Sequence, residues 1–501
     1  MTAQAPDPEP QASNRPPAGN NHKMMLALVP KVPLMMRVAL LHMLRLSPQS
    51  KYLDLRTEVT VAVLRALTNP STPQSITETQ RMAAQALELK GRIWVSTYAC
   101  PPPPAEERGL QDAIAKAIDE LRDPRAPTPT YEMPEPARVE AEWTGYRADA
   151  TPSSRLPDLP QRELYAEMMK EVKSPTTVLY FHGGAYYLLD PATHRPTTKK
   201  LAKLTGGRVY SVRYRLAPQN PFPAALMDAL MSYLALLYPP EGAFHEAVKP
   251  EHIVFAGDSA GGNLSLALLQ LVLHLNRNSQ TVLWHGAARP VPLPGGVAVN
   301  SPWMDVTHSS ASYTTNAAFD YLPTPEQLVV AEARRPACAA WPASPPRRHL
   351  YAPDSLLGHA LVSPLAARSW AGSPPVYLCA GWEMLADEDR FAAQKLWRDR
   401  VPVVWEEYEA MPHCFALIFP HLREARRCIE GWASFIKAVA EGGGESAAVP
   451  ESRFLTIRAK SLQEVTVDPE SLWTETEEVV LERFWKKVRE KQAPEESLAK
   501  L

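Results

Sequence analysis

Cysteine is scarce in this chain of 501 residues: Cys100, Cys338, Cys379, Cys414 and Cys428 are five in number and far apart. An odd, scattered set excludes a disulfide framework, and with no CxxC pair a metal site is not expected either. An excess of one charge is missing too, with 53 Lys and Arg against 55 Asp and Glu for a net charge of −2. No basic field steers phosphates, so nucleic acid is not an expected partner. Long hydrophobic runs are also lacking. Residues 24–46 are apolar, but Pro30, Lys31, Pro33, Arg37 and Arg45 interrupt them. The uninterrupted part falls well short of the roughly 18–20 residues that a membrane span takes. The segment reads as a cap or lid helix packed on the protein, with a membrane-surface helix as the alternative. The first 22 residues carry no apolar signal core. The only glycosylation sequon, Asn263-Leu264-Ser265, falls in a stretch that reads as buried helix. An intracellular, cytoplasmic protein is therefore expected, with at most a peripheral lipid contact through the N-terminal apolar segment. Proline is what the chain has in excess, 51 residues, about twice the usual share. A chain of this length buries roughly three quarters of its unfolded surface, which is ample for an ordinary core.

The pattern divides the chain into a disordered N-terminus (1–22), a helical cap or lid region (23–130), a catalytic domain (131–441) and a charged C-terminal extension (442–501). Within 23–130, apolar residues recur at three- and four-residue intervals over 55–67 and 80–93. From about residue 130 short apolar runs read as strands: 177–181, 208–214, 252–256, 295–299, 375–380 and 403–408. Helical stretches lie between most of them, at 224–237, 260–275, 387–399 and 422–438. Such alternation predicts an α/β fold with a mostly parallel central sheet and helices on both faces. Residues 336–348 form a Pro/Ala/Arg-rich insertion, read as a surface loop. An amphipathic helix is expected near the C-terminus, with Trp473, Val480, Phe484 and Val488 on one face.

The sharpest chemical signal is Gly257-Asp258-Ser259-Ala260-Gly261-Gly262. It places G-x-S-x-G between an apolar strand and a helical run, the setting of a nucleophile elbow. A nucleotide loop would need a Lys after the glycines or a G-x-G-x-x-G spacing, and neither is there. Developing negative charge needs preorganised N–H donors. His182-Gly183-Gly184-Ala185 follows a strand and offers two glycines that can approach a substrate; His182 reads as a loop brace rather than a base. The base should follow in the order Ser, acid, His. His413, on the loop after strand 403–408, fits, whereas His421 begins a helix after Pro420. For the acid, Glu383 lies in the loop after strand 375–380, while Asp387 opens a helical run and could be its N-cap. Glu383 is favoured and Asp387 is the second choice.

Taken with Tyr214-Arg215-Leu216-Ala217-Pro218, Pro221-Phe222-Pro223-Ala224-Ala225 and Ser363-Pro364-Leu365, these blocks resemble the hormone-sensitive-lipase-type α/β-hydrolases over roughly 135–440. Within that family the chain looks most like the fungal lipase/esterase and steryl-acetate-hydrolase-like branch. The resemblance implies an α/β-hydrolase fold, a serine carboxylic-ester hydrolase and no cofactor. It implies Ser259 as nucleophile, His413 as base, and the N–H groups of Gly183, Gly184 and Ala260 as the oxyanion hole. It also implies a helical lid over an acyl pocket, here rich in Met and Leu and suited to a small apolar ester or acetate. Three positions depart from the pattern. Glu383 stands where Asp is common, though four residues before the Asp387-Glu388 pair, which supports it as the acid. Ala185 replaces the third glycine, which would be costly at positive φ. Gln219 replaces a Glu, read as structural.

Fold does not fix reaction. A biosynthetic catalyst of cyclisation, condensation or acyl transfer could use the same Ser, His and acid. A ligand-binding relative without catalysis would need one of the three to be missing, and none is.

Overall fold

A computed structural model describes residues 29–68, 73–84, 89–442 and 451–492; the disorder expected for 1–22 lies outside them. The chain opens on helices α1 (Val32–Met43), α2 (Leu55–Thr68) and α3 (Ile76–Ala83). A capping box starts α3: the Ser75 hydroxyl accepts the Glu78 N–H and the Glu78 carboxylate accepts that of Ser75. Next come β1 (Ile93–Cys100), α4 (Gly109–Glu120), β2 (Val139–Tyr146) and α5 (Gln161–Glu171). The alternating part runs β3 (Thr177–Phe181), α6 (Pro191–Thr205), β4 (Arg208–Arg213), α7 (Ala224–Leu237), β5 (Ile253–Asp258) and α8 (Ala260–Arg277). A small hairpin, β6 (Thr281–Trp284) with β7 (Ala287–Pro290), leads to β8 (Gly296–Asn300) and β9 (Val376–Gly381). The chain finishes with α9 (Ala386–Arg398), β10 (Val403–Tyr408), α10 (Arg423–Glu441), β11 (Arg453–Ile457), β12 (Glu464–Thr466) and α11 (Glu477–Gln492).

One 10-stranded sheet runs β1-β2-β4-β3-β5-β8-β9-β10-β11-β12. The strands from β4 through β11 are parallel, and β1, β2 and β12 pair antiparallel at the edges. The inner strands β3, β5, β8, β9 and β10 are buried at every position, as expected when helices cover both faces. Helix α8 is buried from Ala260 to Leu275 and apolar on nearly every side, which suits a helix packed in the middle of the molecule. Because β4 and β5 flank β3, strand order reverses there. Such a switch point opens a crevice at the C-terminal ends of the strands.

Two boundaries differ from the sequence reading. Region 23–130 is not all helix: Ile93-Trp94-Val95-Ser96-Thr97-Tyr98 forms β1 against β2, since β-branched and aromatic side chains fit a pleated surface. The C-terminal extension is part of the sheet, because β11 adds in parallel to β10 beyond residue 441. Trp473 lies ahead of α11 and is not on its apolar face; Val480, Phe484 and Val488 are buried there as expected, together with Trp485. Among the described residues no helix is long and apolar enough to cross a membrane.

Candidate active site

Ser259 sits between β5 and α8 with φ 52° and ψ −120°, a backbone state costing about 1–3 kcal/mol. Neighbours hold it there: its N–H donates to the Asn300 carbonyl at 3.1 Å and its carbonyl accepts from Trp303 N–H at 3.0 Å. The flanking glycines are steric necessities. A Cβ on Gly261 would overlap the Phe181 carbonyl, so only glycine lets α8 start this close to β3. Asn263 is fully buried, its amide donating to the Trp303 and Val362 carbonyls and accepting from the Tyr186 hydroxyl.

The His-Gly-Gly turn follows β3. Gly184 has φ 109°, and a Cβ there would overlap the Leu188 carbonyl. Ala185 has φ 51°, so the third position does take the left-handed state, at a cost of about 1 kcal/mol for a residue with a Cβ. One expected donor is otherwise engaged: Gly183 N–H donates to Asp258 Oδ1 at 3.2 Å. A buried carboxylate thus already holds that proton, and Gly184 and Ala260 are the two amides left of the three expected. His182 stacks on Tyr214 with ring centroids 4.3 Å apart. Burial, and then His194 beside it, push its pKa down to about 3, so it is a neutral brace.

His413 lies beyond β10 and Glu383 beyond β9, both buried. His413 Nδ1 is 3.5 Å from Glu383 Oε2, longer than a formed hydrogen bond. Its Nε2 faces Cys414 Sγ at 3.4 Å, and that sulfur is 3.9 Å from Asp258 Oδ2. The residues next to His413 and Ser259 in sequence therefore touch. Burial disfavours the imidazolium, yet contact with Cys414 and Glu383 lifts the His413 pKa well above 6.5. Burial pushes the Cys414 thiol itself up to about 12, so it is neutral at working pH and the carboxylate supplies the stabilising charge. Glu383 is raised by burial while His413 pulls it down. Asp387 is placed elsewhere. Its carboxylate accepts from Ser312 N–H at 2.9 Å and pairs with Arg390 at 2.9 Å. It is not the N-cap of α9 either; Leu385 is, with no side-chain cap.

Two supporting residues carry no local sequence signal. The Ser301 hydroxyl donates to Glu383 Oε2 at 2.9 Å and accepts from Cys414 N–H at 3.1 Å, tying the acid loop to the histidine loop. The Asp320 carboxylate accepts from Met384 N–H at 2.8 Å and His413 N–H at 3.4 Å. Arg65 of α2 in turn donates to the carbonyls of Ala317, Ala318 and Asp320, so the N-terminal helices brace that loop. Among the described residues no group of three or more His, Cys, Asp or Glu is placed to hold a metal.

A family model described as the alpha/beta hydrolase fold matches residues 178–417. An acetyl-hydrolase of Streptomyces hygroscopicus is 34% identical over 268 residues, 53% of this chain and 77% of the relative. The chain belongs to the hormone-sensitive-lipase-type α/β-hydrolases. Human hormone-sensitive lipase is 31% identical over 143 residues, 28% of this chain and 11% of that protein. The crystal structure of an esterase from the bacterial hormone-sensitive lipase family superposes with a TM-score of 0.51 at 21% identity, covering 77% of this chain and 99% of that one; it shows the common fold. This hydrolase is a carboxylic ester hydrolase.

In this α/β-hydrolase Asp258 is the anchor under the His-Gly-Gly turn. Besides Gly183 N–H it accepts from the Tyr180 hydroxyl at 2.6 Å and lies 3.2 Å from His194 Nε2. Burial opposes its charge, but His194 and Tyr180 outweigh that and hold its pKa below 3.8, while the carboxylate raises that of His194. Asp258→Asn keeps the shape and removes the charge. It should lower kcat by about 100-fold as the turn loosens, and cost about 3 kcal/mol as His194 is left unpaired. Turnover and thermal melting check this; unchanged values in both would refute the anchoring role.

Proposed function

We propose that Ser259, His413 and Glu383 form a catalytic triad that hydrolyses a small apolar ester through an acyl-enzyme. The observation that carries this reading is convergence. The His-Gly-Gly turn, Ser259, Glu383 and His413 follow β3, β5, β9 and β10, all at the C-terminal ends of parallel strands in one sheet. His413 would take the Ser259 proton as the oxygen attacks the ester carbonyl. The oxyanion would rest against the Gly184 and Ala260 N–H groups. The alcohol leaves with that proton, and water, deprotonated by His413, then releases the acid and regenerates the serine. Glu383 orients the imidazole and balances its charge. The 3.5 Å separation from Nδ1 is compatible with this, since such bonds tighten once substrate is bound.

An apolar substrate is supported by the aromatic surroundings. The Tyr321 ring lies 6.2 Å from that of His413, and Trp303, whose backbone N–H donates to the Ser259 carbonyl, stacks on His308. The Streptomyces relative is named an acetyl-hydrolase, which supports a short acyl group. p-Nitrophenyl esters from acetyl to palmitoyl test this directly. The acetyl and butyryl esters should turn over with kcat/KM of at least about 10⁴ M⁻¹s⁻¹. No turnover of any ester, with Ser259 still labelled by a fluorophosphonate, would favour cyclisation, condensation or acyl transfer instead.

A further inference from the structure

Helix α1 is apolar on both sides. Leu34, Met35, Val38 and Leu41 are half-buried, as is His42, whose Nδ1 meets the Glu58 carboxylate of α2 at 2.6 Å. On the other side Val32, Met36, Leu40 and Met43 are 45, 68, 54 and 65% exposed. Four-, four- and three-residue steps put them in one stripe along the helix. Val29 before the helix and Leu44 and Leu46 after it are exposed as well. A helix apolar all round is normally buried, yet no residue of α1 is.

The charge around this stripe points to what covers it. Between Glu9 and Asp54 there is no acidic residue, while Arg15, Lys23, Lys31, Arg37, Arg45 and Lys51 are cationic. Arg37 and Arg45 are exposed beside the stripe. Exposed Met and Leu flanked by Arg, on a helix with no acidic residue of its own and with the neighbouring Glu58 buried against His42, match an anionic bilayer, where apolar side chains enter the acyl boundary and guanidinium groups meet phosphates. An apolar protein partner would not call for the one-signed charge. We propose that the outer face of α1 seats on the surface of an anionic lipid bilayer. Contact is peripheral: α1 has 12 residues and is too short to span. The bound helix lies close to the catalytic loops, because α1 packs on α2 and Arg65 of α2 holds the Asp320 loop.

Flotation of the full chain with vesicles tests the assignment. With phosphatidylcholine containing roughly 30% phosphatidylserine the protein should float, and with phosphatidylcholine alone much less. Raising salt should weaken binding, as screening shortens the reach of Arg37 and Arg45. Met36→Gln/Leu40→Gln should lower the bound fraction at least about tenfold, with melting temperature and turnover of a water-soluble ester unchanged, since both side chains are exposed. Equal flotation of the variant, or none of the wild type, overturns the proposal. A dimer in sedimentation that the double variant converts to a monomer assigns the face to a second copy instead. Retention in a carbonate-washed membrane pellet would make the segment an integral anchor.

Discussion

Ser259→Ala should lower kcat on a p-nitrophenyl ester by about 10⁶-fold, with labelling by a fluorophosphonate lost altogether. Alanine removes only the hydroxyl. The backbone state of Ser259 is held by its bonds to Asn300 and Trp303, and Gly257 and Gly261 still admit the turn. Melting temperature should therefore stay within about 1 °C. His413→Ala should lose nearly as much turnover, because the serine hydroxyl is a weak nucleophile without its base. The double variant should be no worse than Ser259→Ala, since members of a unit do not contribute additively. Binding and the remaining oxyanion donors would leave a residual acceleration of about 10³–10⁴ over water. Labelling that persists in Ser259→Ala would assign the nucleophile to another serine, and additive losses would separate His413 from it.

The parts of the molecule that were legible in the sequence are those with local causes. Strands β3 and β10 and helix α7 fall where their apolar runs begin and end, because a buried run bounded by Pro, Gly or charge has little freedom to slip. The elbow was legible because glycines at 257 and 261 are demanded by contacts with the next turn and with β3. Strand β1 is not legible because its antiparallel partner β2 lies about 40 residues on, across α4. The Ser301 and Asp320 contacts were invisible for the same reason. Each joins segments that are adjacent only in the folded sheet, and neither residue stands in a motif of its own. The engagement of Gly183 is not legible, because a motif shows which amides face a turn and not which carboxylate lies beneath. Asp258, inside the elbow motif itself, occupies that amide.

Glu383→Gln should lower kcat by about 10⁴-fold with little change in melting temperature, whereas Asp387→Asn should keep most activity. Glu383 is completely buried; Oε2 accepts the Ser301 hydroxyl and faces His413 Nδ1, while Oε1 finds no hydrogen-bond partner among the described residues. Glutamine can still accept from Ser301 through its carbonyl oxygen, so the side chain keeps its place. It no longer carries the charge that stabilises the imidazolium, and its NH₂ can face Nδ1 and favour the wrong tautomer. In a comparable triad that change costs about 10⁴ in turnover. The sign of the pH effect follows as well. Glu383 is one of the contacts that lift the His413 pKa, so removing its charge should lower that pKa. Any residual turnover in Glu383→Gln should then lose its acid limb at a lower pH than wild type. Asp387→Asn meets different conditions. Its amide oxygen can still accept from Ser312 N–H, and Arg390 keeps Glu407 as a partner. Roughly 1 kcal/mol of stability should go with the lost pair, and kcat should fall by less than about threefold. The reverse pattern, Asp387 essential and Glu383 dispensable, would remove Glu383 from the triad. If both variants lose turnover and both melt early, the α9 start acts as one structural unit, and the pH profile decides, because only loss of the orienting carboxylate moves the acid limb.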